Sequence, residues 1–331
     1  MTARVSGKLR GTMTFAKTTS NIKPLSGVRI LSLALNLPGP AAVMRLRTMG
    51  AKCTKLEPPT GDPMHAYKPS VYDTLQEGVR VISADLRTPA GQKTLHRELA
   101  RAQVLITSFR PSALIKLGLT WKTLHKAYPS LAQVAVVGSH GERAEEPGHD
   151  LTYMAEMGLV SGLELPPTLF ADMGGSLMVS EAVLQAVLHQ TRTGKGAYLQ
   201  VALVDAAAYL ALPRSWDLTT PGKPLAGAHA GYRLYPCKDG RVAVAALEPH
   251  FALALCQSVG IDQSDRRMEA PATHAAIAKF FAGHTCSQIT ALGTARDIPV
   301  FALPDEVGMS KGNLADEKPT RTNVSVDRLL N

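Results

Sequence analysis

No stretch of this 331-residue chain is apolar for long enough to cross a membrane; the richest, from Val201 to Leu212, is interrupted by Asp205. Aromatic residues make up only 5% of the chain, which argues against a stacking surface for nucleic-acid bases. The four cysteines, Cys53, Cys237, Cys256 and Cys286, are scattered and show no metal-ligand spacing. They suit free thiols in a reducing compartment, and no metal is expected. Acidic residues are missing before Glu57, a region that holds ten Lys or Arg. The remaining 26 basic and 27 acidic residues nearly cancel, so the formal charge of +9 belongs to the N-terminal region alone. That distribution argues against nucleic-acid binding and leaves a local positive region suited to an anionic ligand such as a nucleotide phosphate. Residues 1–24 are basic and rich in Ser and Thr but contain no apolar core of a secretory signal. A cytoplasmic protein with a basic N-terminal extension is the expectation, and a mitochondrial transit role for residues 1–24 is the alternative.

What is present is an alternation of strand and helix signals. An apolar run at 28–34 and the segments 51–57, 79–86, 104–108 and 132–138 read as strands. Helical patterns fall between them at 41–49, 89–102, 112–118 and 121–127, the second opened by Thr88-Pro89 as N-cap and first helical position. The order predicts an α/β fold, a doubly wound, Rossmann-like parallel sheet with ligands at the carboxyl ends of its strands. A strong helix is expected over 173–193, followed by a segment, 198–212, that begins extended and becomes helical. Residues 213–230 are rich in Pro, Gly and Ala and read as a linker. Lys238-Asp239-Gly240 marks a hairpin, helices follow near 249–259, 273–282 and 286–292, and a strand near 299–303 completes a smaller α+β domain. The expected organisation is an extension (1–24), a large α/β domain with the ligand site (25–212), a linker (213–230), a small α+β domain (231–310) and a polar tail (311–331).

The chemistry is concentrated between Pro147 and Gly175. His149 and Asp150 stand side by side before a helical run, and Asp172-Met173-Gly174-Gly175 opens the next helix. Imidazole and carboxylate both take or give protons near neutral pH when their surroundings tune them. On opposite sides of one carbon they could remove a proton from one face and return it to the other. For the two aspartates, service as helix N-caps is the more ordinary reading. Gly174 and Gly175 would let a ligand approach the backbone.

The order of several motifs resembles the class III CoA-transferase family (the CaiB/BaiF family), which includes the 2-methylacyl-CoA racemases. The resemblance spans roughly 25–303. It rests on Lys55-Leu-Glu-Pro-Pro-Thr-Gly-Asp-Pro63, Asp85-Leu-Arg-Thr-Pro-Ala-Gly91, Phe109-Arg110-Pro111, Gly148-His-Asp150, Asp172-Met-Gly-Gly175, Thr193-Gly-Lys-Gly196 and Leu203-Val-Asp205. It implies an acyl-CoA thioester as substrate, with coenzyme A as part of it and no tightly bound cofactor. It also implies an interlocked homodimer. In the transferases an Asp at Asp150 forms a mixed anhydride with the acyl group. In the racemases a His at His149 and an Asp at Asp172 are the two acid–base groups, and a Glu matching Glu248 in Leu247-Glu-Pro-His-Phe251 supports the His.

The presence of all three racemase residues, the lack of a four-glycine loop after the linker, and methionines 154, 157, 173 and 178 around the site favour racemisation. Met adapts to varied acyl shapes, although core packing is the commoner role of any one of them. Arg110 and Lys55 are candidates for CoA phosphate contacts. Departures are Met64 for a usual Arg, His140-Gly-Glu-Arg143 for a Gly-x-Gly-Gln-like turn, Thr168 for a usual Asn, and a short C-terminal region. The expected function is therefore racemisation of 2-methylacyl-CoA thioesters. CoA transfer through Asp150 is the alternative, and a catalytically impaired CoA-binding relative is a third.

Overall fold

The computed structural model describes residues 22–262 and 267–305. All but the last three residues of the expected extension 1–24, and the whole of the tail 311–331, lie outside the described residues. The chain divides into two compact units between Leu212 and Pro213.

The first unit opens with β1 (Arg29–Ser32), α1 (Pro38–Thr48), β2 (Lys52–Glu57), α2 (Pro63–Tyr67), α3 (Pro69–Gln76), β3 (Arg80–Ser83), α4 (Pro89–Leu99) and β4 (Val104–Thr107). It continues with α5 (Pro111–Lys116), α6 (Trp121–Ala127), β5 (Ala132–Val137), α7 (Asp150–Glu156), α8 (Phe170–Thr193) and β6 (Tyr198–Ala202), and α9 (Leu203–Ser215) runs across its end. All six strands pair in parallel, in the order β3-β2-β1-β4-β5-β6. β4 and β5 are buried along their whole length. That is why they are mainly apolar and do not alternate: helices cover both faces of a parallel sheet. One layer packs Ile30 and Val134 against Val43 and Leu46 of α1 and Val179 and Val183 of α8. The other packs Leu31 and Leu105 against Leu95 and Leu99 of α4, Leu114 of α5 and Leu124 of α6. The strand order reverses between β1 and β4, so a crevice opens at the carboxyl ends of these two strands.

Several boundaries differ from the sequence expectation. α1 begins at Pro38, inside a Leu-Pro-Gly-Pro segment that reads as a turn. Proline lacks only an N–H that the first helical turn leaves unpaired, and its fixed φ is already helical, so prolines start this helix. Gly39 is needed there because a Cβ would lie 2.2 Å from that of Ala34. α2 and α3, each started by a proline, were not expected at all; at five and eight residues they are too short for a clear period.

The second unit contains β7 (Tyr232–Cys237), β8 (Gly240–Ala245), α10 (Pro249–Val259), α11 (Pro271–Ala282), α12 (Cys286–Arg296) and β9 (Val300–Pro304). Its sheet is antiparallel, in the order β7-β8-β9. Tyr235, Val242 and Val244 of the sheet pack with Leu255, Ile277, Phe281 and Ile289 of the three helices. Of the expected linker 213–230, the first three residues continue α9 and Pro224–Ala226 form a single 3-10 turn.

Candidate active site

The crevice at the switch point is a cleft in the first unit. Leu35 and Asn36 after β1, Ser108 to Arg110 after β4, and Gly138 after β5 form its floor. Gly148, His149, Tyr153 and Asp172 close it. The sheet therefore delivers the floor, and the start of α7 and the first turn of α8 deliver the titratable groups.

Neither aspartate is the N-cap of its own helix. His149 occupies the N-cap position of α7, with its N–H donating to the Thr152 hydroxyl at 3.1 Å, and Asp150 is the first helical residue. Asp172 is the third residue of α8, behind Phe170 and Ala171. Asp150 instead caps the neighbouring helix. Its Oδ1 accepts the Asp172 N–H at 3.0 Å, satisfying one of the donors that the first turn of α8 leaves open. Asp150 is only 4% exposed, whereas His149 is exposed and Asp172 half-buried.

This packing sets the charge state of Asp172. Burial raises its carboxyl pKa from 3.8 to about 6, the neighbouring Asp150 carboxylate pushes the same way, and His149 partly offsets both. A carboxyl so placed exchanges protons near neutral pH, the range in which a general acid or base works best.

Tyr153 is the site residue that sequence reasoning missed. Its ring is buried in the core, and its hydroxyl fits between two glycines: a Cβ on Gly138 would lie 2.3 Å from it and one on Gly148 2.5 Å. Burial, then the Asp172 charge, raise the phenol's pKa against a smaller lowering by Arg110, so it stays a neutral donor at the cleft wall. A Gly at each of positions 138 and 148, in step with a Tyr four residues after the His, was the available signal.

Other expected residues are placed differently. Arg110 lines the cleft at the start of α5. Lys55 does not; it is 1% exposed, 3.0 Å from Glu57, and bonded to Asp62. Glu57 also accepts the Tyr72 hydroxyl at 3.0 Å, and Asp62 accepts the N–H groups of Met64 and Asn36 at 2.9 and 3.0 Å. Asn36 lines the cleft with a positive φ of 64°, so this buried network holds an unfavourable backbone turn at the cleft floor. The Lys55 ammonium is thus buried between two carboxylates and does not line the cleft, in contrast to the phosphate contact expected of it.

Packing explains Gly175, where a Cβ would come 2.3 Å from Leu203 of α9; at Gly174 a Cβ would make only ordinary contact, 3.4 Å from Ala206. The four methionines also pack inward: Met154, Met157 and Met178 with the main core, and Met173 with Met44 and Met64. Glu248 belongs to the second unit, where it is exposed at the N-cap position of α10. The altered 140–143 turn is well anchored. His140 bonds Gln200 at 2.9 Å and Asp205 at 2.5 Å, and Arg143 forks onto Glu156 with two 2.8 Å bonds.

The family model for CoA-transferase family III matches residues 25–311, and the chain belongs to that family. Its members include both racemases and CoA-transferases acting on CoA thioesters. The chain is 30% identical over 267 residues to human alpha-methylacyl-CoA racemase, covering 73% of this chain and 66% of that one. It is 31% identical over 211 residues to the cinnamoyl-CoA:phenyllactate CoA-transferase of Clostridium sporogenes, covering 57% and 51%. The chain thus spans about half to two thirds of the length of these curated relatives. Its fold is that of a crystal structure of a hypothetical protein from Mycobacterium tuberculosis, with a TM-score of 0.74, 26% identity, and 84% and 83% of the two chains covered. No helix of the described residues is long and apolar enough to cross a membrane.

Proposed function

We propose that the protein racemises a 2-methylacyl-CoA thioester by two-base proton transfer at the α-carbon. The observation that carries this reading is the division of labour among the three site residues. His149 and Asp172 line one cleft, with Asp172 titrating at about 6, while Asp150 is buried and engaged on the Asp172 N–H. Neutral His149 takes the α-proton, and the C–H electron pair moves onto the thioester oxygen to give an enolate. Protonated Asp172 returns a proton to the opposite face, leaving the inverted thioester, an imidazolium and a carboxylate; the reverse direction exchanges these roles. The Tyr153 hydroxyl and first-turn N–H groups of α7 are the donors offered to the enolate oxygen. Arg110 is assigned to CoA phosphate, as a guanidinium suits.

The proposal includes a homodimer in which Glu248 of one chain fixes the tautomer of His149 of the other. Full activity of a monomer, checked by sedimentation and assay at the same low concentration, would refute that part.

The second reading, CoA transfer through an anhydride on Asp150, is supported by the transferases among the relatives. Incubation with an (R)-2-methylacyl-CoA in deuterated water separates the readings. Racemisation with α-deuterium uptake supports the first. CoA transfer that requires an added carboxylate acceptor supports the second. CoA binding with neither reaction points to a catalytically impaired relative.

A further inference from the structure

In the second unit three potential ligands converge. Cys237 ends β7, Asp239 lies in the turn to β8, and Cys286 is the first residue of α12. Although 49 positions separate the two cysteines, their sulfurs lie 3.5 Å apart. Asp239 Oδ1 accepts the Cys286 N–H at 2.6 Å and stands 4.0 Å from Cys237 Sγ. Among the described residues this is the only group of three or more Cys, His, Asp or Glu whose ligand atoms all lie within 4.8 Å of one another.

We propose that Cys237, Asp239 and Cys286 bind one divalent cation of the zinc class. Two thiolates select a borderline or soft ion and disfavour magnesium and calcium, which prefer oxygen alone. Metal–sulfur bonds of about 2.3 Å in a tetrahedron place two sulfurs about 3.8 Å apart. The observed 3.5 Å is close to that spacing, so the thiols need little movement. A disulfide would require the sulfurs to close to about 2.05 Å.

Binding forms two metal–sulfur bonds and one metal–carboxylate bond and releases the two thiol protons; water completes the fourth position. Proton release makes uptake steeply favoured by rising pH. The position of Cys286 in the first turn of an eleven-residue helix favours its anionic form once the cation compensates the neighbouring carboxylate. The bound ion would join the β7–β8 turn to the start of α12.

The full-length chain, reduced and stripped with a chelator, should be titrated with Co2+ and then with Zn2+. One cobalt per chain with thiolate-to-metal charge-transfer absorption, displaced by zinc, is the expected result. Zinc should also protect Cys237 and Cys286 of the unmodified chain from alkylation, a readout independent of any variant. Cys237→Ser and Cys286→Ser should each abolish the absorption and weaken zinc binding by more than the ~10–100-fold carried by outer-shell partners. The proposal is overturned if the unmodified chain gives no thiolate–cobalt absorption, or if the absorption survives both substitutions. Zinc-equilibrated protein that carries a Cys237–Cys286 disulfide, seen by mass spectrometry, overturns it as well.

Discussion

Two groups of charged side chains sit at the carboxyl ends of the same parallel sheet, and they are resolved in opposite ways. At the carboxyl end of β2, Lys55 lies between Glu57 and Asp62, and both carboxylates accept further hydrogen bonds from Tyr72, Met64 and Asn36. Beyond β5, Asp150 and Asp172 face one another with only an N–H bond and a neighbouring imidazole, and Asp172 answers by holding its proton to about pH 6. A buried charge that is paired and fully hydrogen-bonded gives a rigid support. A buried carboxyl left short of partners becomes a group that exchanges protons near neutrality, which is what acid–base chemistry needs. The first cluster fixes the Asn36 turn at the cleft floor, and the second places the titratable Asp172 along its wall.

This contrast can be broken by substitution. The largest expected effect is on turnover. His149→Ala and Asp172→Ala should each lower racemisation by about two to four orders of magnitude, measured as kcat on both enantiomers. Each variant should retain exchange of the α-proton on the face served by its surviving base. In the other cluster, Lys55→Met should cost stability more than chemistry: about 3–5 kcal/mol in urea unfolding, because two buried carboxylates lose their cation. A Lys55→Met protein as stable as the unmodified chain would mean that the pairing contributes no rigidity.

A smaller effect follows from the Asp172 proton. Its folded pKa, about 6, lies above the ordinary value of 3.8. Its contribution to stability is therefore present below pH 3.8 and lost as the pH rises through 6. Asp172→Asn has no such loss, so it should gain on the unmodified chain by at most about 3 kcal/mol between pH 4 and 7. Parallel unfolding curves at these two pH values check the sign. A difference that does not change with pH contradicts the raised pKa.

The smallest effect concerns the turn after β5. Hydrogen bonds to Asp205 first, and to Gln200, raise the pKa of His140. Its stabilisation is present below pH 6.5 and disappears as the pH rises through the raised value. The pair is exposed, so His140→Ala should cost under about 1 kcal/mol. Unfolding at pH 6 and pH 9 should show that small cost shrinking at the higher pH.

Much of the sheet was legible because a parallel strand buried on both faces is written as a mainly apolar segment, as in Val104–Thr107 and Ala132–Val137, where Gln133 is the exception. α6 and α10 were expected over the same residues that form them, since Thr120 and Pro249 are unambiguous start signals. Pro38-Gly-Pro40 misleads because the residues that make turns also begin helices. At the site, His149, Asp172 and Arg110 were legible by motif, and the cleft brings the three together. Roles that depend on what a side chain faces were not legible. Lys55 faces two carboxylates, Gly175 faces Leu203, and Asp150 caps a helix that begins twenty residues after it. The Cys237–Cys286 proximity was hidden by the same limit, since only the antiparallel sheet and the start of α12 bring residues 49 positions apart into contact.

The central claim is that His149 and Asp172 move protons while Asp150 holds the start of α8 in place. Its most direct test is α-deuterium uptake and inversion of an (R)-2-methylacyl-CoA in deuterated water, compared between Asp150→Asn and His149→Ala. Asparagine keeps an oxygen for the Asp172 N–H, so Asp150→Asn should retain measurable exchange and inversion, and His149→Ala should lose inversion by about two to four orders of magnitude. If Asp150→Asn is inert and His149→Ala keeps most of its activity, Asp150 is the reacting group and the two-base account is wrong.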